Sequence, residues 1–393
     1  MLARQHAGSM LLSAMAAGLI LVYLLGVLAP HLDAELGMNR VQLGSLSTAF
    51  YLTAAVLSAV THLIVRRAGP AKALVFLFLS SGTGCLLVSA STSVLLLLVA
   101  CCVGGIAAAL SNPATNEFLT GMKPPLAILV GAKQSGVQVG ALAVGMVVGP
   151  LAGIFGWRVS AAVCGAGCYL LAIVAAFTLR SRVSTTLDAG IGNPKPGRAH
   201  WATLGYAGLM GGGLSTVNTY LPLFSFEQLG FPPAVAGMAV GVVGVGGMIA
   251  RIAWSAVAER LGMKRMNLLL CGQAALAAAS AGLLVMSVPW GSSLLWVAAL
   301  ILGLSAAAWN SLVYLFVILA GKDVGRISGQ IQSAFYFGLM ATPIAFGAVV
   351  DTTGSYELGW LGTGILFLIG SVVAVRIPKH SLTAVATSPA PAG

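Results

Sequence analysis

Twelve apolar runs divide the chain, near residues 9–31, 42–64, 73–91, 93–115, 127–153, 157–178, 202–224, 234–257, 266–288, 293–319, 329–351 and 359–376. A helix needs about 20 apolar residues to cross the hydrocarbon core of a bilayer, and each run is near or above that length. The pattern predicts an all-α membrane protein of twelve transmembrane helices. Between the sixth and seventh runs lies Arg180 to His200, polar, with Gly190, Gly192, Pro194, Pro196, Gly197 and four basic residues. Such a stretch reads as a linker. The expected organisation is a six-helix bundle over 1–179, a cytoplasmic linker over 180–200, a second six-helix bundle over 201–378 and a disordered tail over 379–393. The first run exceeds the apolar core of a secretory signal, and no convincing small-residue cleavage site follows it, so it reads as a retained helix.

Composition removes the soluble alternatives. Of 393 residues 58% are hydrophobic and only 7% charged, with a mean hydropathy of +0.98, whereas a soluble domain carries about a quarter charged residues. The net charge of +11 could suggest a nucleic-acid partner, but the basic residues are scattered through short connections and explain themselves by topology. With the N-terminus inside, the cytoplasmic connections and ends hold Arg66, Arg67, Lys72, Lys123, Arg260, Lys264, Arg265 and Lys322 among others, and the opposite face keeps only Arg40 and Arg158. That asymmetry predicts a multi-pass protein of a bacterial cytoplasmic (inner) membrane with both termini cytoplasmic. The six cysteines all lie in apolar segments without ligand spacing, and the five histidines are far apart, so neither a disulfide framework nor a metal is expected. No Walker-type loop is present, and no nucleophile has a paired base. The reading is not an enzyme, no cofactor and no nucleic-acid partner, with a monomer as the working unit.

The two sets of runs echo each other. Val65-Arg66-Arg67-Ala68-Gly69 has a counterpart in Ala258-Glu259-Arg260-Leu261-Gly262, and Gly131-Ala-Lys-Gln134-Ser135 in Gly329-Gln-Ile-Gln332-Ser333. Both offsets are near half the chain, the plan of a secondary transporter with substrate held near the midplane between repeats. Ser255-Ala-Val-Ala-Glu259-Arg260-Leu-Gly262-Met-Lys264-Arg265 resembles the loop signature of the major facilitator superfamily. Gly145-x-x-x-Gly149-Pro150-x-x-Gly153, with Gly156-Trp157-Arg158 after it, resembles that family's fifth-span signature, and Asn112-Pro-Ala-Thr-Asn116 with Lys133-Gln-Ser-Gly136 looks like a bacterial branch. The resemblance covers essentially the whole chain and implies two pseudo-symmetric bundles and alternating access. Where the first-half loop would carry an acid this chain has Arg66, so Glu259, Arg260 and Lys264 are expected to form the main cytoplasmic latch. The fourth-position spacing of Gly145, Gly149 and Gly153 makes a smooth stripe, expected to pack against another backbone.

Arg251 stands out chemically. It lies eight residues before Glu259, about 12 Å inside the boundary at 1.5 Å per residue, with no acid in its span. A guanidinium at that depth is costly unless it faces a cavity or joins an anion. Carriers of monocarboxylates and oxalate in the superfamily place an arginine in the eighth span on the substrate carboxylate, and Arg251 resembles it. Lys133 is the second candidate cation and Glu117 a possible coupling acid. Tyr23, Tyr51, Gln134, Gln138, Asn218, Tyr220, Trp309, Asn310, Gln332 and Tyr336 supply hydroxyls, amides and rings for a pocket. The expected function is secondary transport of a small organic anion, a monocarboxylate taken up with protons. Efflux of drugs or metabolites is the competing reading and a non-transporting receptor the third.

Overall fold

The structure is a computed structural model that describes residues 2–38, 40–122, 126–179, 199–231, 233–262, 265–321 and 323–377. The expected tail and most of the expected linker lie outside the described residues, as does Lys264. All regular structure among the described residues is helical. The first span is α1 (Leu2–Leu36). The second is broken into α2 (Arg40–Ser58) and α3 (Thr61–Ala68), which meet at 58°. Next come α4 (Pro70–Ser89) and α5 (Val94–Thr120). The fifth span is composite: α6 (Ala127–Ala143), a π-helical turn (Val144–Val148) and α7 (Gly149–Phe155), followed by α8 (Trp157–Thr178). The second half holds α9 (Trp201–Glu227), α10 (Pro233–Leu261) and α11 (Met266–Trp290). A tenth span is α12 (Leu294–Leu304), a 3₁₀ turn (Ala306–Ala308) and α13 (Trp309–Ala320), and α14 (Val324–Thr353) and α15 (Tyr356–Val375) close the chain.

Ten of these rods are long and apolar enough to cross a membrane, and the bent α2–α3 pair makes eleven. The remaining rod is α9, diluted by Gly211 to Gly213, Ser215, Thr216 and Asn218, and it packs along α14, α15 and α10. Twelve rods, counted over the described residues, therefore match the sequence pattern. Helix ends repeat between the halves: Gly69 and Gly262 both take positive φ, at 81° and 75°, a conformation that glycine adopts without a Cβ penalty.

Helices in lipid gain little from hydrophobic attraction to each other, so small residues that let backbones touch carry much of the association. Within the first half, a Cβ on Gly136 would sit 2.1 Å from the Leu12 carbonyl oxygen. Between the halves, a Cβ on Gly329 of α14 would sit 2.0 Å from the carbonyl oxygen of Ser58, and one on Gly131 of α6 would sit 2.7 Å from that of Arg251. The echoed pair Gly131 and Gly329 thus performs the same task twice. Each lets its own span lie against the backbone of the opposite half.

These inter-half contacts gather at one end of the bundle, the end from which α1 sets out. We call this the closed face. Toward the far face the halves part: α10 packs along α6 but not along α7, and Gly145, Gly241 and Gly244 have no neighbour within 4 Å of a built Cβ. This corrects the reading of the fifth-span glycines as a packing stripe, because Gly145 and Gly153 both face open space. The structure puts a π turn there instead. Pro150 has no amide hydrogen to give to a carbonyl one turn back, which lets the ladder slip to the wider spacing. At the far face Glu35 accepts from the Trp157 indole at 2.6 Å and pairs with Arg158, and these two donors hold its carboxyl below the usual range.

Gly136→Ala and Gly329→Ala separate folding from gating. Gly136→Ala, inside one half, should cost on the order of 1–3 kcal/mol, read as a lower melting temperature in detergent. Gly329→Ala should instead open the closed face, read as greater reactivity of a cysteine placed at Ser58, with a smaller loss of melting temperature.

Candidate functional site

A polar cluster crosses from one half to the other just inside the closed face. Its centre is Asn112 on α5, followed by Pro113, which removes one backbone donor from the helix. The side-chain oxygen of Asn112 accepts from Lys133 Nζ at 2.9 Å and from Gln134 Nε2 at 2.8 Å. Its nitrogen donates to Gln332 Oε1 on α14. The echoed glutamines Gln134 and Gln332 therefore meet on one asparagine. Gln332 Oε1 also accepts from the Tyr314 hydroxyl at 2.7 Å, and Gln332 Nε2 donates to the Tyr336 hydroxyl at 2.6 Å.

Lys133 is fully buried. Its ammonium donates to Asn112 and, at 2.9 Å, to Thr115 Oγ1, touches Met15 Sδ at 3.9 Å and lies 5.5 Å from the centre of the Tyr314 ring. Three donors are met by three acceptors, all neutral. Arg251 is 2% exposed and differently placed. Its Nη1 donates to the main-chain carbonyl of Gln134 at 3.0 Å, while its Nε is buried without a protein partner. Tyr23 lies within electrostatic reach of Arg251, Tyr51 and Tyr336. No described carboxylate forms an ion pair with either cation.

Asn310 joins through Gln134 Oε1, to which its nitrogen donates at 3.3 Å. Trp309 is buried among Tyr206, Tyr314 and Phe335, and Tyr51 packs on Tyr336 with ring centres 5.7 Å apart. Gln138 lies one turn along α6 from Gln134, its Oε1 buried and without a protein partner. Two expected residues lie apart. Tyr220 stacks on Phe346 and donates to the Pro343 carbonyl near the far end of α9, and Asn218 is exposed beside it.

At the closed face Glu117 Oε2 accepts from the Gly325 amide at 2.8 Å, in the first turn of α14, and Asn116 donates to Ser328 at 2.8 Å. A carboxylate on a helix N-terminus satisfies an otherwise orphan amide and complements the helix dipole. Glu259 and Arg260 are exposed on the same face with no ion pair or hydrogen bond among the described residues. Sequence reasoning did not single out Asn112, Thr115, Met15 or Tyr314 as site residues. Ser111, Asn112, Thr115 and Asn116, spaced three to four apart on one face of an apolar helix, were the available signal.

Residues 10–329 match the family model of the Major Facilitator Superfamily. The chain belongs to that superfamily. It is thus a secondary transporter of small solutes, and membership of a transporter family agrees with the reading that it is not an enzyme. The fold agrees at the level of solved structures. The proton:xylose symporter XylE aligns with a TM-score of 0.74 at 15% identity, over 95% of this chain and 96% of that one. FucP, solved in an outward conformation, aligns at 0.68 with 16% identity, over 94% of this chain and 98% of that one. Among curated relatives, the probable sulfoacetate transporter SauU of Cupriavidus necator is 25% identical over 385 residues, 90% of this chain and 89% of the relative.

The seat of Lys133 is tight, and charge alone does not make arginine a substitute there. Lys133→Arg should fail, because a larger fork has no room between Thr115, Met15 and the Tyr314 ring. Its overpacking should cost on the order of 1–3 kcal/mol, measured as a fall in melting temperature alongside lost uptake. Lys133→Met, which removes the charge without adding volume, should melt higher than Lys133→Arg.

Proposed function

We propose that this transporter carries a small organic anion, a carboxylate or sulfonate, bound at Arg251 between the two halves. The carrying observation is that Arg251 is buried with donors to spare while Lys133 is fully satisfied. A buried guanidinium with one protein hydrogen bond lacks compensation for its lost hydration. An oxyanion supplies it and can do so with two parallel hydrogen bonds. The name of the relative SauU, a probable sulfoacetate transporter, supports an anionic cargo. Tyr23, Tyr51, Gln134, Gln138, Asn310, Gln332, Tyr336 and Trp309 are assigned to the walls of this site, and Asn218 and Tyr220 to its approach from the far face.

With both termini in the cytoplasm of a bacterial inner membrane, the closed face is cytoplasmic and the parted halves face outward, a state ready for uptake. Proton coupling is assigned to Glu117. Ionised, it caps α14 across the closed face; protonated, it leaves that helix end without its anion, and the seal weakens. Glu259 and Arg260 are exposed in this state, so together with Lys264 they are assigned to the movement between states rather than to the seal.

Arg251→Lys tests the anion reading. It preserves charge but removes the fork, and should weaken binding of the transported anion to purified protein roughly 30-fold or more, from a loss on the order of 2–5 kcal/mol. Unchanged affinity, or a preferred cargo that is cationic, would assign the arginine to structure. Glu117→Gln should abolish proton-driven accumulation in proteoliposomes while leaving counterflow measurable; normal accumulation would remove Glu117 from the coupling role.

A further inference from the structure

The amide groups around Gln134 have no freedom of orientation, and their polarity describes a ligand. Lys133 Nζ can only donate, so the Asn112 atom 2.9 Å from it is the oxygen. The same oxygen accepts from Gln134 at 2.8 Å, so Gln134 turns its nitrogen to Asn112 and its oxygen away. That Gln134 oxygen receives the nitrogen of Asn310 at 3.3 Å, which fixes Asn310 Oδ1 as the outer end of the chain. Asn310 Oδ1 is buried and has no protein partner.

Arg251 reaches the same residue through its main chain, donating Nη1 to the Gln134 carbonyl at 3.0 Å and leaving Nε unpaired. Gln134 thus anchors two residues with an unpaired buried atom, a cationic donor through its main-chain carbonyl and a neutral acceptor through its side-chain oxygen. A plain carboxylate or sulfonate answers the first only. Its remaining oxygens would face the Asn310 oxygen with like polarity and leave it unsatisfied, which is costly for a buried acceptor. A ligand that combines an acid group with a hydrogen-bond donor answers both. An ammonium could donate, but it would add a third positive charge beside Lys133 and Arg251, with no described carboxylate paired to either. A hydroxyl donates without charge.

We infer that the substrate is a hydroxylated organic anion whose acid group pairs with Arg251 and whose hydroxyl donates to Asn310 Oδ1. The inference rests on the anion reading given above and narrows it. Two matched pairs of probes test it on the purified full-length protein by calorimetry: lactate against propionate, and isethionate against ethanesulfonate, with alanine as the ammonium arm. The hydroxylated member of a pair should bind roughly 10- to 100-fold more tightly than its deoxy partner, and alanine should bind more weakly than lactate. In Asn310→Leu, with folding checked by melting temperature, the ratio within each pair should fall to near one. Equal binding within both pairs overturns the hydroxyl inference and leaves the anion reading standing. Tightest binding by alanine overturns the hydroxyl in favour of an ammonium. Persistence of the preference in Asn310→Leu overturns the role of Asn310, and absence of binding by every anion overturns both readings.

Discussion

A cation shut away from water must be given oxygen, and the polar interior of this transporter is ordered by how Lys133 receives it. No described carboxylate is spent on the task. Asn112, Thr115 and Met15 meet the ammonium with neutral atoms, and the Tyr314 ring lies beside it. Because the ammonium is a donor only, it sets the orientation of Asn112, and Asn112 sets the two glutamines. From Gln332 the order passes to Tyr314 and Tyr336, and from Gln134 to Asn310. One charge on α6 thereby fixes hydrogen-bond direction on α5, α13 and α14. A network with a single permitted polarity presents a defined face to a ligand, whereas an amide cluster without such a charge could flip.

The same cluster lies where the halves touch most closely. Gly131 and Gly329 bring α6 and α14 against the backbone of the opposite half, and the glutamines three residues further on meet at Asn112. Backbone contact and polar contact are therefore linked by one helical turn on each side. A change that separates the halves at the closed face must also break the bond between Asn112 and Gln332, since one belongs to each half. Ligand binding at Gln134 and opening of the closed face share Asn112 as a common partner, which gives alternating access a physical connection to the site.

Much of this was legible in the chain. Apolar run lengths gave twelve rods, and the repeated Gly-x-x-Gln pattern read as an echo between two halves; that both copies lie against the backbone of the opposite half came only with the fold. Arg251 and Lys133 were visible because charge is rare in such runs. What stayed hidden depended on rotation about helix axes. The fifth-span glycines read as a packing stripe at four-residue spacing, yet the π turn at Val144–Val148 and Pro150 shift that register, and Gly145 and Gly153 face open space. Asn112 looked like one polar residue beside a proline; its role depends on three partners that are 21 to 220 residues away in sequence. Glu117 read as a possible coupling acid at the end of a span, and only the fold shows that span ending against the first turn of α14.

The two cations also show why lysine and arginine are not exchangeable here. A compact ammonium with three donors suits the small cage at residue 133, where three acceptors converge and nothing more is needed. A planar fork has donors on several edges. At residue 251 one edge is anchored to the Gln134 carbonyl and Nε remains unpaired. The anchoring matters as much as the free donor, because a guanidinium held by a main-chain oxygen loses less freedom when an anion arrives. It also makes Gln134 the common support of both cations, its side chain bonded to the oxygen that holds Lys133 and its backbone to Arg251. Any ligand that pulls on Arg251 therefore pulls on α6 at the residue whose side chain reports to Asn112, and binding energy has a direct route to the contact that keeps the halves together.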